Sequence, residues 1–229
     1  MRHIALSSIV AFALSGAAAQ GAVFTGSDAF GRDARAEFTV VGTDLLVTLT
    51  NTATADVLLP IEVLTGLLWA MDSASLSPTS ALLTSGSSVI YDSQPVGGVV
   101  GGEWAYKGGI AVRGTSFIIS SAGLGLVGPG DRFPGPDLSA PTNPNGLNYG
   151  ITSAGDIAAT GNGGVLGSGG LIQNSVSFVL AGIAANFDPS TITNVQFQYG
   201  TDLSEPYTPT PGSLALIGIG AVLSLRRRR

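Results

Sequence analysis

Apolar and polar side chains alternate one for one over Arg35-Ala36-Glu37-Phe38-Thr39-Val40, and again at Leu45, Val47 and Leu49 after a Gly42-Thr43-Asp44 turn. Successive side chains of an extended strand point to opposite faces, so this period predicts half-buried β-structure and argues against an amphipathic helix. Residues 34–50 therefore read as a β-hairpin. Val176, Phe178 and Leu180 alternate in the same way, as do Val195, Phe197 and Tyr199 around Gln196 and Gln198. Shorter strands are expected at 63–71, 88–91, 103–106 and 116–120, with another within 147–152. Phe38, Val47, Leu49, Phe178 and Phe197 form the expected core, while Glu37 and Gln198, on the opposite faces of their strands, are expected at the surface.

No stretch between Gly21 and Pro209 has apolar residues at helical spacing. Short strands cut by Gly, Pro, Asn and Ser predict an all-β fold: a single β-sandwich of jelly-roll type with long loops rich in Gly, Pro and Asn. The longest loops are expected across 123–170, whose aliphatic content is too high for a disordered segment. No internal repeat or linker divides the body.

Both ends differ from this body. Met1-Arg2-His3 is basic, residues 4–19 are apolar and small, and Ala17-Ala18-Ala19 supplies an Ala-x-Ala motif. This predicts a secretory signal peptide over 1–19, recognised at Ala17 and Ala19 and cut after Ala19, with the Gly21-Ala22 region as second choice. At the other end, Tyr207-Thr208-Pro209-Thr210-Pro211-Gly212 breaks the chain, residues 213–225 (SLALIGIGAVLSL) are apolar, and Arg226, Arg227, Arg228 and Arg229 follow. As a helix the apolar run would span about 20 Å against roughly 30 Å of hydrocarbon, a marginal permanent anchor. The arginines stay cytoplasmic, so everything before residue 213 is expected on the other side of the membrane. The organisation is then signal peptide 1–19, body 20–206 and sorting tail 207–229.

Removing both flanks leaves five of the ten basic residues and all fifteen acidic ones, a net charge of −10. Such a body is a poor partner for nucleic acid, whose phosphates need neutralising, and suits a soluble, self-repelling surface protein. Its length fits one domain with a substantial core.

The sole histidine is His3, inside the signal, and there is no cysteine. Ser-His-Asp and Cys-His catalysis, His- or Cys-ligated zinc and c-type haem are thereby excluded. The body also folds without disulfides although export would permit them. Gly123 to Gly128 spells G-x-G-x-x-G, but Pro129, Pro134 and Pro136 forbid the helix a dinucleotide site needs. The glycines of 161–170 have no lysine for a phosphate loop, and no G-x-S-x-G elbow occurs.

Three weaker constellations remain. Glu62, Asp72, Asp92, Glu103, Asp131, Asp137 and Asp156 include candidates for a paired acid and base in glycoside hydrolysis, which needs no histidine. Asp131, Asp137 and Asp156, with nearby Asn side chains, are oxygen donors for Ca²⁺, although no D-x-D-x-D-G loop is present. Acids in such loops more commonly make turn hydrogen bonds. Trp104 and Tyr106, with Trp69, Tyr91 and Tyr149 elsewhere, are candidates for a platform on which sugar rings stack, against the commoner role of core packing. Exposure separates the two: a buried pair removes the platform.

The tail resembles the PEP-CTERM sorting domain of bacterial surface proteins, with Pro209-Thr210-Pro211 standing where the family has Pro-Glu-Pro. Over most of the body, the chain is similar to the XDD class of exosortase-dependent surface proteins. The likeness rests on Val47-Thr48-Leu49-Thr50-Asn51-Thr52, Asp56-Val57-Leu58-Leu59-Pro60, Val63-Leu64-Thr65-Gly66 and Gly101-Gly102-Glu103-Trp104-Ala105-Tyr106. It continues through Gly123-Leu124-Gly125-Leu126-Val127-Gly128-Pro129-Gly130, Tyr149-Gly150-Ile151-Thr152-Ser153-Ala154-Gly155-Asp156 with Ala159-Thr160-Gly161-Asn162-Gly163-Gly164, and Phe197-Gln198-Tyr199-Gly200-Thr201-Asp202-Leu203-Ser204-Glu205-Pro206. The resemblance implies export, a transient inner-membrane precursor, processing by an exosortase-type transpeptidase and a place at the cell surface or in an exopolysaccharide or biofilm matrix. It brings no catalytic or binding residues. The expectation is a structural or adhesive surface protein, not an enzyme, with no cofactor beyond the calcium candidates. The alternative is a carbohydrate-binding module or glycoside hydrolase.

Overall fold

The computed structural model describes residues 20–72, 74–142 and 144–210. Ala17 and Ala19 of the signal, and Pro211, Gly212, the apolar run and Arg226 to Arg229 of the tail, lie outside the described residues.

The described chain is mostly β-strand. Its strands are β1 Gln20–Ser27, β2 Asp33–Val41, β3 Asp44–Asn51, β4 Leu64–Ala70, β5 Ser77–Leu83, β6 Ser88–Ile90 and β7 Ala105–Val112. They continue with β8 Thr115–Ser120, β9 Ile151–Thr152, β10 Leu171–Gln173, β11 Ser175–Ala181, β12 Thr193–Tyr199 and β13 Tyr207–Pro209. One sheet has the order β1-β2-β3-β11-β5. The other runs β13-β12-β4-β9-β10-β6, with β8 on β4 and β7 on β8. Pairing is antiparallel except between β9 and β10. The single α-helix among the described residues, α1 Gly163–Leu166, is one turn, started by Asn162 Oδ1, which accepts from the Gly164 and Val165 amides.

The hairpin expected at 34–50 is β2 and β3, with Phe38 opposite Val47 and Ala36 opposite Leu49. Both strands alternate buried and half-buried, β2 ending on the exposed Val41. Phe38, Val47, Leu49, Phe178 and Phe197 are all fully buried in one core that draws on both sheets. Aromatic rings join the sheets: Phe38 meets Trp69 edge-on at 5.6 Å, and Trp69 stacks on Phe117 at 5.6 Å. Such contacts add to the area they bury.

Four strands have no counterpart in the sequence reading: β1, β5, β10 and β13. β1 carries one large inward side chain, Phe24, and β5 only Ala81, so neither shows an apolar alternation. β13 falls within the segment read as the tail's breaker. The body therefore extends past residue 206, through three residues paired to β12.

Gln198 corrects the surface expectation outright. It is 0% exposed, because β4 and β12 are covered on both faces. The inner face of this sheet meets the main core, while Leu68, Ile118, Ala122 and Leu124 form a second cluster on its outer face, joined by Leu203. Gly123 to Val127 supplies that cover as a tight turn, with the Leu126 and Val127 amides both donating to Gly123 O. No helix begins there.

Candidate functional site

Trp104 and Tyr106 are 0% and 6% exposed, so the candidate sugar platform gives way to the commoner role of core packing. Trp104 packs edge-on against Phe178 at 5.1 Å, and Tyr106 lies near-parallel to Phe117 at 6.5 Å. Both rings fill the space between the sheets, where their large apolar area is worth most. Trp69 and Tyr149 are equally buried, and the Tyr149 hydroxyl donates to Asp92 Oδ2 at 3.1 Å. Tyr91 is partly exposed, with its hydroxyl accepting from the Ala159 amide.

Gly101 and Gly102, just before Trp104, are required by close backbone approach. A Cβ on either would lie 2.0 Å from Pro134 O or 1.8 Å from Pro136 O. The adjoining Glu103, 5% exposed, accepts from the Leu138 and Ser139 amides at 2.5 and 2.9 Å. Burial pushes its carboxyl above the ordinary value, against the two amides that favour the charged form. The Gly-Gly-Glu-Trp run is thus a seat for the loop at 133–139.

Several of the other candidate acids also hold backbone. Glu62 Oε2 accepts from the Leu58 and Leu59 amides, and Asp131 Oδ2 from the Gly128 amide while facing Lys107 at 3.6 Å. Asp137 pairs with Arg132 at 3.5 Å. Asp156 Oδ1 accepts from the Val57 amide at 3.1 Å. Among the described residues no three acidic side chains or histidines converge to hold a metal ion, so Asp131, Asp137 and Asp156 are not brought into one group.

Two constellations were not visible in the sequence. In the first, Asp56 and Asp156 clasp two distant loops reciprocally: Asp56 Oδ1 accepts from the Ile157 amide, and Asp156 Oδ1 from the Val57 amide. Burial, and secondarily Asp56 beside it, push the Asp156 carboxyl up, whereas the Ile157 amide and the Thr160 hydroxyl hold Asp56 down. One proton on the pair relieves the repulsion of two adjacent carboxylates.

In the second, Gln198 Oε1 accepts from Arg113 Nη1 at 2.9 Å, and its amide nitrogen donates to Tyr199 O and Asp202 O at 2.8 and 2.9 Å. The Arg113 guanidinium also covers the Tyr207 ring at 3.9 Å and donates to Leu203 O. This network seals the loop between β12 and β13.

Two surface features remain. An open recess of about 530 Å³ is lined by Asp72, Ser75, Ile183, Asn186, Phe187 and Asp188, among others. It offers carboxylate and amide groups beside one aromatic ring. Asp188 is partly committed, because its Oδ1 accepts from the Ser190 amide. Elsewhere Phe30, Leu58, Leu59 and Ile157 on loops, and Leu166 at the end of α1, are exposed apolar side chains. Leu58 is tied to the α1 loop by the Asn162 amide, and Ile157 to Asp56. No helix among the described residues is long and apolar enough to cross a membrane.

Comparison with protein-family models, curated proteins and solved structures finds no match to this chain.

Proposed function

We propose that this chain is an exported, sortase-processed protein of the cell surface or extracellular matrix, with a structural or adhesive role and a jelly-roll-like β-sandwich body. The observation that carries the reading is the C-terminal succession of breaker, apolar run and four arginines, set against an Ala17-to-Ala19 cleavage motif at the other end. The acids of the body mostly bond backbone amides, the use expected of a scaffold. The partners are the export machinery, an exosortase-type transpeptidase, the inner membrane while the tail is attached, and exopolysaccharide; nucleic acid is not among them.

Intact mass of the protein recovered from the cell surface tests this. The expected form starts near Gln20 and lacks the residues from 213 on. Surface protein that still bears Arg226 to Arg229 rules the reading out. Replacing the four arginines by glutamine should also impair retention and processing of the precursor.

A carbohydrate-binding module is the second reading, favoured only by the recess at Phe187. Its size suits a small saccharide, and Asp72, Asn186 and Asp188 supply hydroxyl partners. Titration with the exopolysaccharide of the producing cell tests it: Phe187→Ala should abolish binding, and an unchanged isotherm removes the recess from consideration.

A further inference from the structure

We propose that the peptide bond at which the tail is processed lies beyond Thr210, and that β13 sets this limit. The inference rests on the sorting reading above and places its chemistry on this fold. Tyr207, Thr208 and Pro209 pair with Gln198, Phe197 and Gln196 of β12, and the Thr210 amide donates to Val195 O at 2.9 Å. Thr208 is 1% exposed. It lies against Gly26 of β1, where an added Cβ would sit 2.7 Å from both Thr208 Oγ1 and the Phe197 ring. Tyr207 is held under Arg113, which also bonds Gln198. The residues that begin the breaker in sequence therefore complete the edge of a sheet in space.

A processing enzyme needs its substrate extended and free of other backbone pairing on both sides of the bond that is cut. Residues 207–210 do not meet that condition while β13 is in place. Nor is there a long spacer: Pro211 and Gly212 alone separate Thr210 from the apolar run, a reach of about 11 Å at most. In the precursor the sheet edge at Thr210 is accordingly held close to the bilayer surface.

Gln20 faces the same way. Gly26 of β1 sits beside Phe197, and β1 runs from there back to Gln20 alongside the Pro189–Thr191 turn that leads into β12. β13 runs towards Val195, the same end of β12. Among the described residues, the Gln20 end of β1 and the Thr210 end of β13 thus point to one pole.

The step itself breaks one amide bond. Its carbonyl carbon takes the oxygen of water or the nitrogen of an acceptor amine, and the departing nitrogen becomes the new amino terminus of the tail. No oxidant or reductant is involved.

The test uses the full chain. Digestion of the purified precursor in detergent with a non-specific protease should leave a core whose last residue is Thr210, Pro211 or Gly212. Thr208→Arg, which forces a charge into the closed slot at Gly26, should make cutting at 203–210 about tenfold faster by opening β13. A core ending at or before Pro206 in the unsubstituted chain, or no change on Thr208→Arg, overturns the limit. In the producing cell, mass spectrometry should find a mature form ending at Thr210 or later. A mature form that has lost the arginines but ends before Tyr207 overturns the limit and leaves the sorting reading standing. Retention of Arg226 to Arg229 at the surface overturns both.

Discussion

The β2–β3 hairpin and β12 are written in similar apolar alternation, yet the hairpin has a half-exposed face and β12, paired to β4, has none over residues 195–199. On β2, Phe38 is buried and Glu37 half-buried, with Glu37 bonded to Arg35 at 2.8 Å near solvent. On β12, Phe197 is buried and so is Gln198 on the opposite face. Strand geometry is the same in both. The difference is a second cover, the loops around Leu124 and Leu203, which come from distant parts of the chain and close over the outer face of one sheet only. A polar residue in an alternating strand therefore marks the face away from the main core, and that face need not be wet.

The largest effect that tests this comparison is at the shared core. Phe38→Ala and Phe178→Ala should each cost about 3–5 kcal/mol, a large share of a typical total of about 5–15 kcal/mol. Denaturant midpoints at unchanged slope measure it. A cost below about 1 kcal/mol would mean that the two sheets do not share a packed core.

Next comes Gln198→Ala, expected to cost about 1–3 kcal/mol, because Arg113 loses its acceptor and buried carbonyls lose their donor. A cost within about 0.5 kcal/mol would put Gln198 on the same footing as a surface residue and break the contrast between the two strands.

The Asp56–Asp156 clasp gives a smaller effect that depends on pH. Burial raises the folded-state value of Asp156 above its ordinary 3.8, so the folded chain holds this proton more tightly than the unfolded one. The associated stability is fully present below 3.8 and is lost as pH rises through the raised value. Asp156→Asn keeps an acceptor for the Val57 amide and cannot ionise. Relative to the unsubstituted chain, it should be more stable at pH 7 and nearly equal at pH 3. Thermal melts at both values check the sign, and a variant that loses more at pH 7 than at pH 3 would contradict it.

Glu37→Ala is the smallest, within about 0.5 kcal/mol, since its exposed pair with Arg35 is worth little in water. A larger loss would show that the outer face of β2 is also covered in solution.

The strands with inward Phe, Val or Leu at every second position, β2, β3, β11 and β12, were legible because burial on one face leaves a local mark. β1, β5 and β13 were not, because pairing through backbone groups asks little of side chains when neighbours supply the apolar area. Gly101 and Gly102 could have been suspected as a close-approach pair, but nothing local names Pro134 and Pro136 as what approaches. Trp104 and Tyr106 failed as a platform for a related reason: an aromatic pair has the same letters whether it lines a surface or fills a core. The carboxylates were visible as a set, and only folding could assign each its amide.

By itself the sequence determined that the body is built of strands, that Phe38, Val47, Leu49, Phe178 and Phe197 face inward, and that histidine and cysteine chemistry is closed to it. These follow from residue type and a period of two, which act over a few residues. Only the tertiary structure decided that Gln198 is sealed, that Asp56 meets Asp156 across a hundred residues of chain, and that Tyr207 to Pro209 complete a sheet. Each of those depends on which loop closes over which face, and the free energy of that closure is shared among residues too far apart in the chain to leave a pattern.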